Sequence, residues 1–375
     1  MIRRDYTIFV VAGRLGSTLT VSKAVPFAVH PDVKSIFIFR ENQGFPVQKS
    51  QYITLDNILA RIRPRFLRSA VRFALEPIQI VRHSIKHKPY LINGVFTLPK
   101  GMNALIAAKL TRRKSMISVI GGTVEITTRM PFQWFWKKFN LWMLKKCDVV
   151  TTKGTKVSKW LVEQGVPSEK IFILNGSIDT ETFNINRKVE RDIDILFVGN
   201  FRKLKGPDRV LGIIKNLTES GKDVKAVFLG TGSLFEETKK QIVDLQLEDF
   251  VTLKGYQSNT SSYFKRSKIL VMPSMSEGLP TAMLEAMACG CVPVVSDVGN
   301  VTDAAHHGVN ALVISEWSDI QSFTSAVQKL LNDEPFRNRL AMNGRQLVVD
   351  KYRPEKQAEV VDDILTYLNS KDGTL

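Results

Sequence analysis

The chain has 375 residues, 44% of them hydrophobic, and a formal net charge of +17. This length and apolar content suffice for two domains with hydrophobic cores and exclude a disordered chain. No apolar stretch approaches the roughly 20 residues of a membrane span, and the first residues lack a signal-peptide pattern, so we expect a cytoplasmic protein. Three cysteines are too few for a disulfide framework and fit a reducing compartment.

The positive charge lies in the first half of the chain. Residues 1–186 contain 29 Lys and Arg against 11 Asp and Glu, whereas the remainder contains 24 against 25. This asymmetry predicts that the amino-terminal domain faces an anionic partner, either nucleic acid or an acidic lipid surface.

Short apolar runs in the first half predict buried parallel strands separated by helices, as in a sheet covered on both faces. These runs are Tyr6–Ala12, Ser35–Phe39, Tyr90–Asn93, Ser115–Ile120, Asp148–Thr151 and Lys170–Leu174. Gly13 and Gly16 follow the first run and would allow a ligand to lie close to the backbone, so we assign Gly16 to ligand binding. A purely structural turn is the alternative.

Two segments of this half combine positive charge with aromatic or apolar side chains. Arg61–Lys88 predicts an amphipathic basic surface, and Pro131–Lys146 carries three tryptophans and four lysines. Tryptophan with lysine favours a lipid headgroup surface, although one face of a helix there must also pack on the sheet. Base stacking on the same rings is the alternative, but no nucleic-acid-binding motif accompanies them, so we expect no nucleic acid partner. The residues expected to face an anionic membrane are Arg68, Arg72, Trp134, Trp136, Lys137 and Lys138.

A polar turn after Asn175 predicts a domain boundary near 186. A second alternating set of strands follows, and the last segment has helical periodicity, so we divide the chain into 1–186, 187–350 and 351–375. The strands predicted for the second domain are Asp194–Gly199, Lys225–Gly230, Val251–Gly255, Ile269–Pro273 and Val292–Ser296.

The segment Ser274–Gly290 suits a phosphorylated sugar ligand. It follows a predicted strand, so Glu277 lies at the carboxyl end of that strand, and Pro280 suits the first turn of the helix that contains Glu285. Amide groups at a helix start bind phosphate, and carboxylates accept hydrogen bonds from sugar hydroxyls. An ordinary strand–loop–helix, with Glu285 as a first-turn acid, is the alternative.

Residues 274–290 resemble the E-x7-E signature of the retaining glycosyltransferase family 4, and similarity to that family extends over roughly residues 145–350. The resemblance implies an α/β protein of the GT-B fold, with two doubly wound Rossmann-like domains facing a central cleft and a last helix that crosses back to the first domain. It also implies roles. Glu277 would contact the transferred sugar, Glu285 would hold the ribose hydroxyls, and donor-binding main chain would come from Gly278, Leu279 and Pro280.

A cationic loop follows the first strand of the second domain. Lys205 matches the family's phosphate-contacting lysine, whereas the arginine usual after the strand glycine is Asn200 here, a position assigned to donor binding. We expect Arg202 to substitute for that arginine and, with Lys205, to stabilise the leaving phosphate. A solvated loop is the alternative.

No metal or cofactor is expected, and the sequence does not identify a general base. Asp192 and Asp194 spell a D-x-D motif at the wrong edge of their strand, and His83 and His87 fit a solvated helix face. The family's occasional histidine after a middle strand is absent, so Thr123 and Glu125 are acceptor-side candidates, with a plain turn as the alternative.

The sequence therefore predicts a metal-independent retaining hexosyltransferase, cytoplasmic and peripheral at the inner face of the cell membrane. Its donor would be a UDP- or GDP-sugar, and its acceptor a lipid-linked saccharide or lipid in envelope polysaccharide assembly. A soluble GT-B transferase, a nucleotide-sugar epimerase and a basic RNA-binding module are the alternatives.

Overall fold

The structure is a computed structural model that describes residues 5–13, 24–40, 47–54, 65–127, 132–186 and 188–372. It divides into two compact units, Met1–Ser177 with Pro354–Leu375 and Ile178–Arg353. The second unit thus begins at Ile178, whereas the sequence division was placed at 186.

The first unit contains a seven-stranded parallel sheet with the strand order β3-β2-β1-β4-β5-β6-β7. Its strands are β1 Tyr6–Gly13, β2 Val33–Arg40, β3 Ser50–Thr54, β4 Leu91–Val95, β5 Lys114–Ser118, β6 Val149–Thr152 and β7 Ile171–Ile173. The helices described between them are α1 Arg65–His87, α2 Met102–Thr111, α3 Thr123–Thr127, α4 Gln133–Lys146 and α5 Thr155–Glu163.

Strand β1 shows why these apolar runs form a covered sheet. Ile8 and Val10 pack into one hydrophobic cluster, while Phe9 and Val11 pack into another, and all four are fully buried. Because successive side chains of a strand point to opposite faces, both faces of the sheet carry a core.

The second unit contains a six-stranded parallel sheet with the strand order β10-β9-β8-β11-β12-β13. Its strands are β8 Ile193–Val198, β9 Ala226–Leu229, β10 Val251–Gly255, β11 Ser267–Met272, β12 Val292–Ser296 and β13 Leu312–Ile314. Its helices are α6 Pro207–Glu219, α7 Phe235–Asp244, α8 Ser261–Arg266, α9 Thr281–Ala288, α10 Ile320–Asn332 and α11 Glu334–Lys351. Two doubly wound sheets, as predicted, are confirmed.

The last helix, α12 Pro354–Lys371, packs on the first unit. Its buried residues Ile364 and Leu368 lie in the same cluster as Ile8 of β1. Asn369 accepts a hydrogen bond from the hydroxyl of Tyr90 and donates one to the hydroxyl of Tyr6, at 2.9 and 2.8 Å. The end of the chain is thereby part of the first unit's core.

None of the helices in the described ranges is both long enough and apolar enough to cross a lipid bilayer.

Candidate active site

The candidate site lies at the carboxyl edge of the second sheet, between β8 and β11. The chain moves from β8 through β9 to β10 and then returns to place β11 on the other side of β8. The loops after β8 and β11 therefore lead in opposite directions, which opens a crevice where ligands bind in doubly wound sheets. Lys205 follows β8, and Glu277 follows β11.

These two side chains meet. The Nζ of Lys205 donates a hydrogen bond to Oε1 of Glu277 at 2.6 Å. The Glu277 side chain is 8% exposed and that of Lys205 is 29% exposed, so the carboxylate lies at the bottom of the pair and the ammonium nearer solvent. The Lys205 ammonium is therefore the more accessible member of the pair and is open to contact with a phosphate.

Backbone contacts hold the Glu277 loop on both sides. The amide of Met275 donates to the carbonyl of Leu204 at 2.8 Å, which ties this loop to the Lys205 loop. On the other side, the amide of Asn300 donates to the carbonyl of Gly278 at 3.0 Å. Gly299 has a φ of +57°, and a Cβ there would lie 1.8 Å from the carbonyl oxygen of Glu277, so only glycine fits.

Helix α9 begins directly after this loop. Pro280 is its N-cap residue and so precedes the helix, whereas the sequence placed it in the first turn. The side chain of Leu279 is buried in the core, so only its main chain can contribute to a ligand site.

Glu285 lies on α9 and differs from Glu277 in its surroundings. Within the described chain its carboxyl group has no hydrogen-bond or ion-pair partner. Burial raises the pKa of Glu285 from its ordinary 4.5 to about 7. Glu285 is therefore a partly buried acid without the counter-charge that Glu277 has in Lys205.

Arg209 on α6 is a site residue that the sequence analysis missed. Its Nε donates to the carbonyl of Pro273 at 2.9 Å, and its guanidinium also donates to the carbonyl of Lys203 at 3.0 Å. The guanidinium lies 4.8 Å from the ring centre of Trp317, and burial lowers its pKa. Arg209 thus ties the Lys205 loop to the end of β11.

One sequence signal could have indicated this role, and the backbone of the glycine before the helix agrees with it. Arg209 shares a helical face with apolar Ile213 and Leu217, which is an unusual place for a cation. Gly206, with a φ of +68°, precedes the helix, and a Cβ there would lie 2.3 Å from the Arg209 guanidinium.

The other donor-side candidates remain predictions. Arg202 and Asn200 are exposed, and the guanidinium of Arg202 makes no ion pair with any residue that the structure describes. The amide of Arg202 donates to the carbonyl of Asn200 at 2.8 Å, which forms a tight turn after β8. Gly16 lies outside the described residues.

On the first unit, backbone amides hold the carboxyl group of Glu125. Its carboxyl oxygens accept hydrogen bonds from the amides of Thr97, Ile120 and Gly121 at 2.6 to 2.8 Å. Burial raises its pKa to about 7, against the lowering effect of these bonds. Glu125 joins the loops after β4 and β5, with partly buried Thr123 beside it; contact of either with an acceptor remains a prediction.

The aromatic segment forms α4, which buries Asn140, Leu141, Met143 and Leu144 in the unit, so one face of it is core as expected. Trp134 is 64% exposed, with the Lys138 ammonium 5.6 Å from its ring centre. Trp136 is only partly exposed, and the Lys137 ammonium lies over the ring of Trp160. Arg68 and Arg72 belong to α1, in a part whose side chains the structure does not describe.

The carboxylates of the D-x-D motif have cationic partners. Asp192 pairs with Arg266, and Asp194 pairs with Lys268 at 2.7 Å. His83 and His87 stack ring on ring. Across the described ranges, no three His, Cys, Asp or Glu side chains cluster as a metal site would need.

The contacts of Arg209 predict that it stabilises the site loops. Arg209→Met leaves the carbonyls of Lys203 and Pro273 without donors, so we expect the free energy of unfolding to fall by about 2–4 kcal/mol, measured by urea denaturation. Arg202→Met, in the same loop, serves as the exposed control and should change stability by less than about 0.5 kcal/mol. Equal effects of the two substitutions would contradict the role of Arg209.

The raised pKa of Glu285 predicts that its contribution to the stability of the fold depends on pH. The folded protein keeps this proton up to about pH 7, whereas the unfolded chain releases it near 4.5, so the contribution of Glu285 to stability falls as pH rises through this window. Glu285→Gln should therefore raise the melting temperature relative to the wild type at pH 8 and leave it near the wild type at pH 5. A difference in melting temperature between variant and wild type that is the same at both pH values would refute the pKa shift. Glu125 titrates in both proteins, so its effect cancels in this difference.

Comparison with known proteins agrees with the fold. A family model described as glycosyl transferases group 1 matches residues 178–366, half of the chain. The chain is 24% identical to the capsular polysaccharide biosynthesis glycosyltransferase CapM of Staphylococcus aureus, over 95% of this chain and 97% of CapM. It is 23% identical to the UDP-Gal:alpha-D-GlcNAc-diphosphoundecaprenol alpha-1,3-galactosyltransferase of Escherichia coli, over 75% of this chain and 76% of that enzyme.

A solved structure shows the same architecture. Anabaena HepE, crystallised with UDP and glucose, superimposes with a TM-score of 0.77 at 15% identity, covering 96% of this chain and 99% of HepE. The chain has the GT-B fold. Because the family model covers half of its residues, including Lys205, Glu277 and Glu285, the chain belongs to the glycosyl transferases group 1 and is a glycosyltransferase.

Proposed function

We propose that this glycosyltransferase is a retaining enzyme of family 4 that transfers a hexose from a UDP- or GDP-sugar to a lipid-linked saccharide or lipid. The observation that carries the proposal is the Lys205–Glu277 pair at the carboxyl edge, where the strand order of the second sheet reverses. A cation for phosphate and an acceptor for sugar hydroxyls lie within 2.6 Å of each other there.

Donor binding would exchange partners within this pair. The diphosphate would lie against the Lys205 ammonium and the amides at the start of α9, because both favour anions. Lys205 would then turn from Glu277 to phosphate, and the freed carboxylate of Glu277 would accept hydrogen bonds from the transferred sugar. Glu285, further along α9, would hold the ribose hydroxyls.

Bond cleavage would be assisted by charge at the leaving group. Negative charge builds on the diphosphate as the glycosidic bond breaks, and the cations Lys205 and Arg202 would stabilise that charge without a metal ion. The departing phosphate would take the proton of the acceptor hydroxyl on the same face of the sugar, which gives retention of configuration. This scheme needs no protein base, in keeping with Glu125 being engaged by backbone amides.

We propose that the first unit binds the acceptor and that it does so at a membrane surface. The excess of Lys and Arg in residues 1–186 and the exposed ring of Trp134 favour an anionic lipid surface, so we place the protein in the cytoplasm at the inner face of the cell membrane. The relatives support this choice, since CapM is named for capsular polysaccharide and the Escherichia coli enzyme for a diphosphoundecaprenol acceptor.

The proposal predicts that both members of the pair are needed for transfer. Glu277→Gln removes a charged acceptor at the sugar, and Lys205→Gln removes the cation at the leaving phosphate. Each should lower kcat about 100-fold or more while the protein stays folded. Purified protein is first screened against a panel of nucleotide sugars, and product formation with membrane lipid extract is then measured by mass spectrometry.

A matched pair at the opposite edge of the same sheet provides the control. Lys268 and Asp194 form a similar partly buried ion pair at 2.7 Å, far along the strands from the crevice, so Lys268→Gln should keep wild-type turnover. Unchanged turnover in Glu277→Gln would rule out the assigned site. A product that is an isomerised nucleotide sugar instead of a glycoside would favour the epimerase alternative, and RNA binding without turnover would favour the RNA-binding alternative.

A further inference from the structure

An apolar groove runs between helices α2 and α4 on the surface of the first unit. Its volume is about 570 Å³, within the range of about 300–1,000 Å³ typical of ligand pockets. Its lining residues are Met102, Leu105, Ile106, Lys109, Leu110, Phe139, Trp142, Met143 and Lys146. Leu110 is 70% exposed and Trp142 is 51% exposed, so large apolar side chains face solvent along the groove.

The α4 side of the groove is an ordered row of rings. Phe135 stacks on Phe139, and Phe139 stacks on Trp142, with ring centres 6.2 and 5.8 Å apart. These residues share one helical face, and Phe135 is itself 47% exposed. Phe139 and Trp142 line the groove and Phe135 continues their row along α4, whereas Trp136 does not line the groove.

A basic pocket of about 510 Å³ adjoins one end of the groove. Its cations are Lys109, Arg112, Arg113 and Lys114, and Lys109 lines both the pocket and the groove. Of these, Lys114 is neutralised by an ion pair with Asp372. The other acid in the pocket, Asp148, accepts hydrogen bonds from the amide and hydroxyl of Ser115.

Three cations of the pocket are not held in a direct ion pair by the residues that the structure describes, although Asp148 also lines the pocket. Lys109, Arg112 and Arg113 form no ion pair with any of the described residues, and the buried Nε of Arg113 has no hydrogen-bond partner among them. A long apolar groove that ends in unpaired cations is complementary to a molecule with an apolar chain and an anionic head.

We propose that the α2–α4 groove binds an acyl chain of an anionic membrane phospholipid, whose phosphate lies in the basic pocket beside Lys109, Arg112 and Arg113. The proposal rests on the membrane attachment proposed above and gives it a defined lipid site. Lipid binding there would fix the first unit on the bilayer by one inserted chain in addition to surface charge.

This lipid is not the acceptor. Helix α2 lies between β4 and β5 and runs from the carboxyl edge of the sheet to the amino edge, so the basic pocket lies where β5 begins. The acceptor-side candidates Thr123 and Glu125 follow the carboxyl end of β5. The headgroup site and the acceptor candidates are therefore at opposite edges of the first sheet.

The test uses full-length protein and vesicles of phosphatidylcholine with or without phosphatidylglycerol, made with brominated acyl chains. Because Trp134 and Trp136 are also expected at the membrane, quenching by bromine is measured in a Trp134→Phe, Trp136→Phe background, where anionic vesicles should quench and Trp142→Phe should remove most of that quenching. Leu110→Gln should weaken vesicle binding about tenfold, since it removes one apolar side chain from the groove. Lys109→Gln with Arg112→Gln should weaken it about thirtyfold, at about 1 kcal/mol for each cation.

Matched controls lie on the second unit. Val243 is 55% exposed, so Val243→Gln controls for loss of surface apolarity, and Lys239→Gln with Lys240→Gln controls for loss of charge. Both should bind vesicles as the wild type does. The thermal shift with UDP and GDP is followed in every variant, so that a failure of the donor site and a failure of the lipid site are told apart.

Four results would overturn the lipid site. These are quenching that survives Trp142→Phe in the background without Trp134 and Trp136, equal binding to neutral and anionic vesicles, losses in the groove variants no greater than in the controls, and a dimer in solution that Leu110→Gln dissociates. The last result would mean that the groove is filled by a second copy of the chain.

Discussion

The contact between Lys205 and Glu277 is the interaction on which the proposed chemistry depends. It forms because the second sheet reverses its strand order at β8, so that loops from two non-consecutive strands meet at one edge. A partly buried carboxylate needs a partner, and here the partner is also the cation best placed for a diphosphate. Without ligand, Lys205 and Glu277 thus neutralise each other. When the donor binds, Glu277 can contact the sugar and Lys205 the phosphate.

The site is preorganised by main chain and by one buried arginine. Arg209 bridges the two loops, and Gly299 allows the loop after β12 to lie directly against the carbonyl of Glu277. These contacts are between backbone atoms or end on carbonyls, so they fix the positions of the loops while their functional side chains remain free to exchange partners. Such fixed loops reduce the reorganisation needed when charge develops in the transition state.

Much of the fold could be predicted from the sequence because buried parallel strands are short, continuous apolar runs between turns. The strands that were missed, β3 and β13, are edge strands: β3 is mostly polar, and β13 is an apolar run of only three residues. At the site, the spacing of Glu277 and Glu285 resembles a family signature, whereas the contacts of Arg209 and Glu125 depend on which backbone carbonyls and amides lie nearby. Such contacts are set by tertiary packing: the sequence can show that Arg209 shares a helical face with apolar residues, but not which carbonyls it contacts.

The most direct test of the central claim is a crystal structure of the protein with a bound nucleotide sugar that the screen identifies. The account predicts the diphosphate within hydrogen-bond distance of the Lys205 ammonium and of amides at the start of α9, with Glu277 on the sugar and Glu285 on the ribose. A donor bound elsewhere, with the Lys205–Glu277 contact intact, would contradict it.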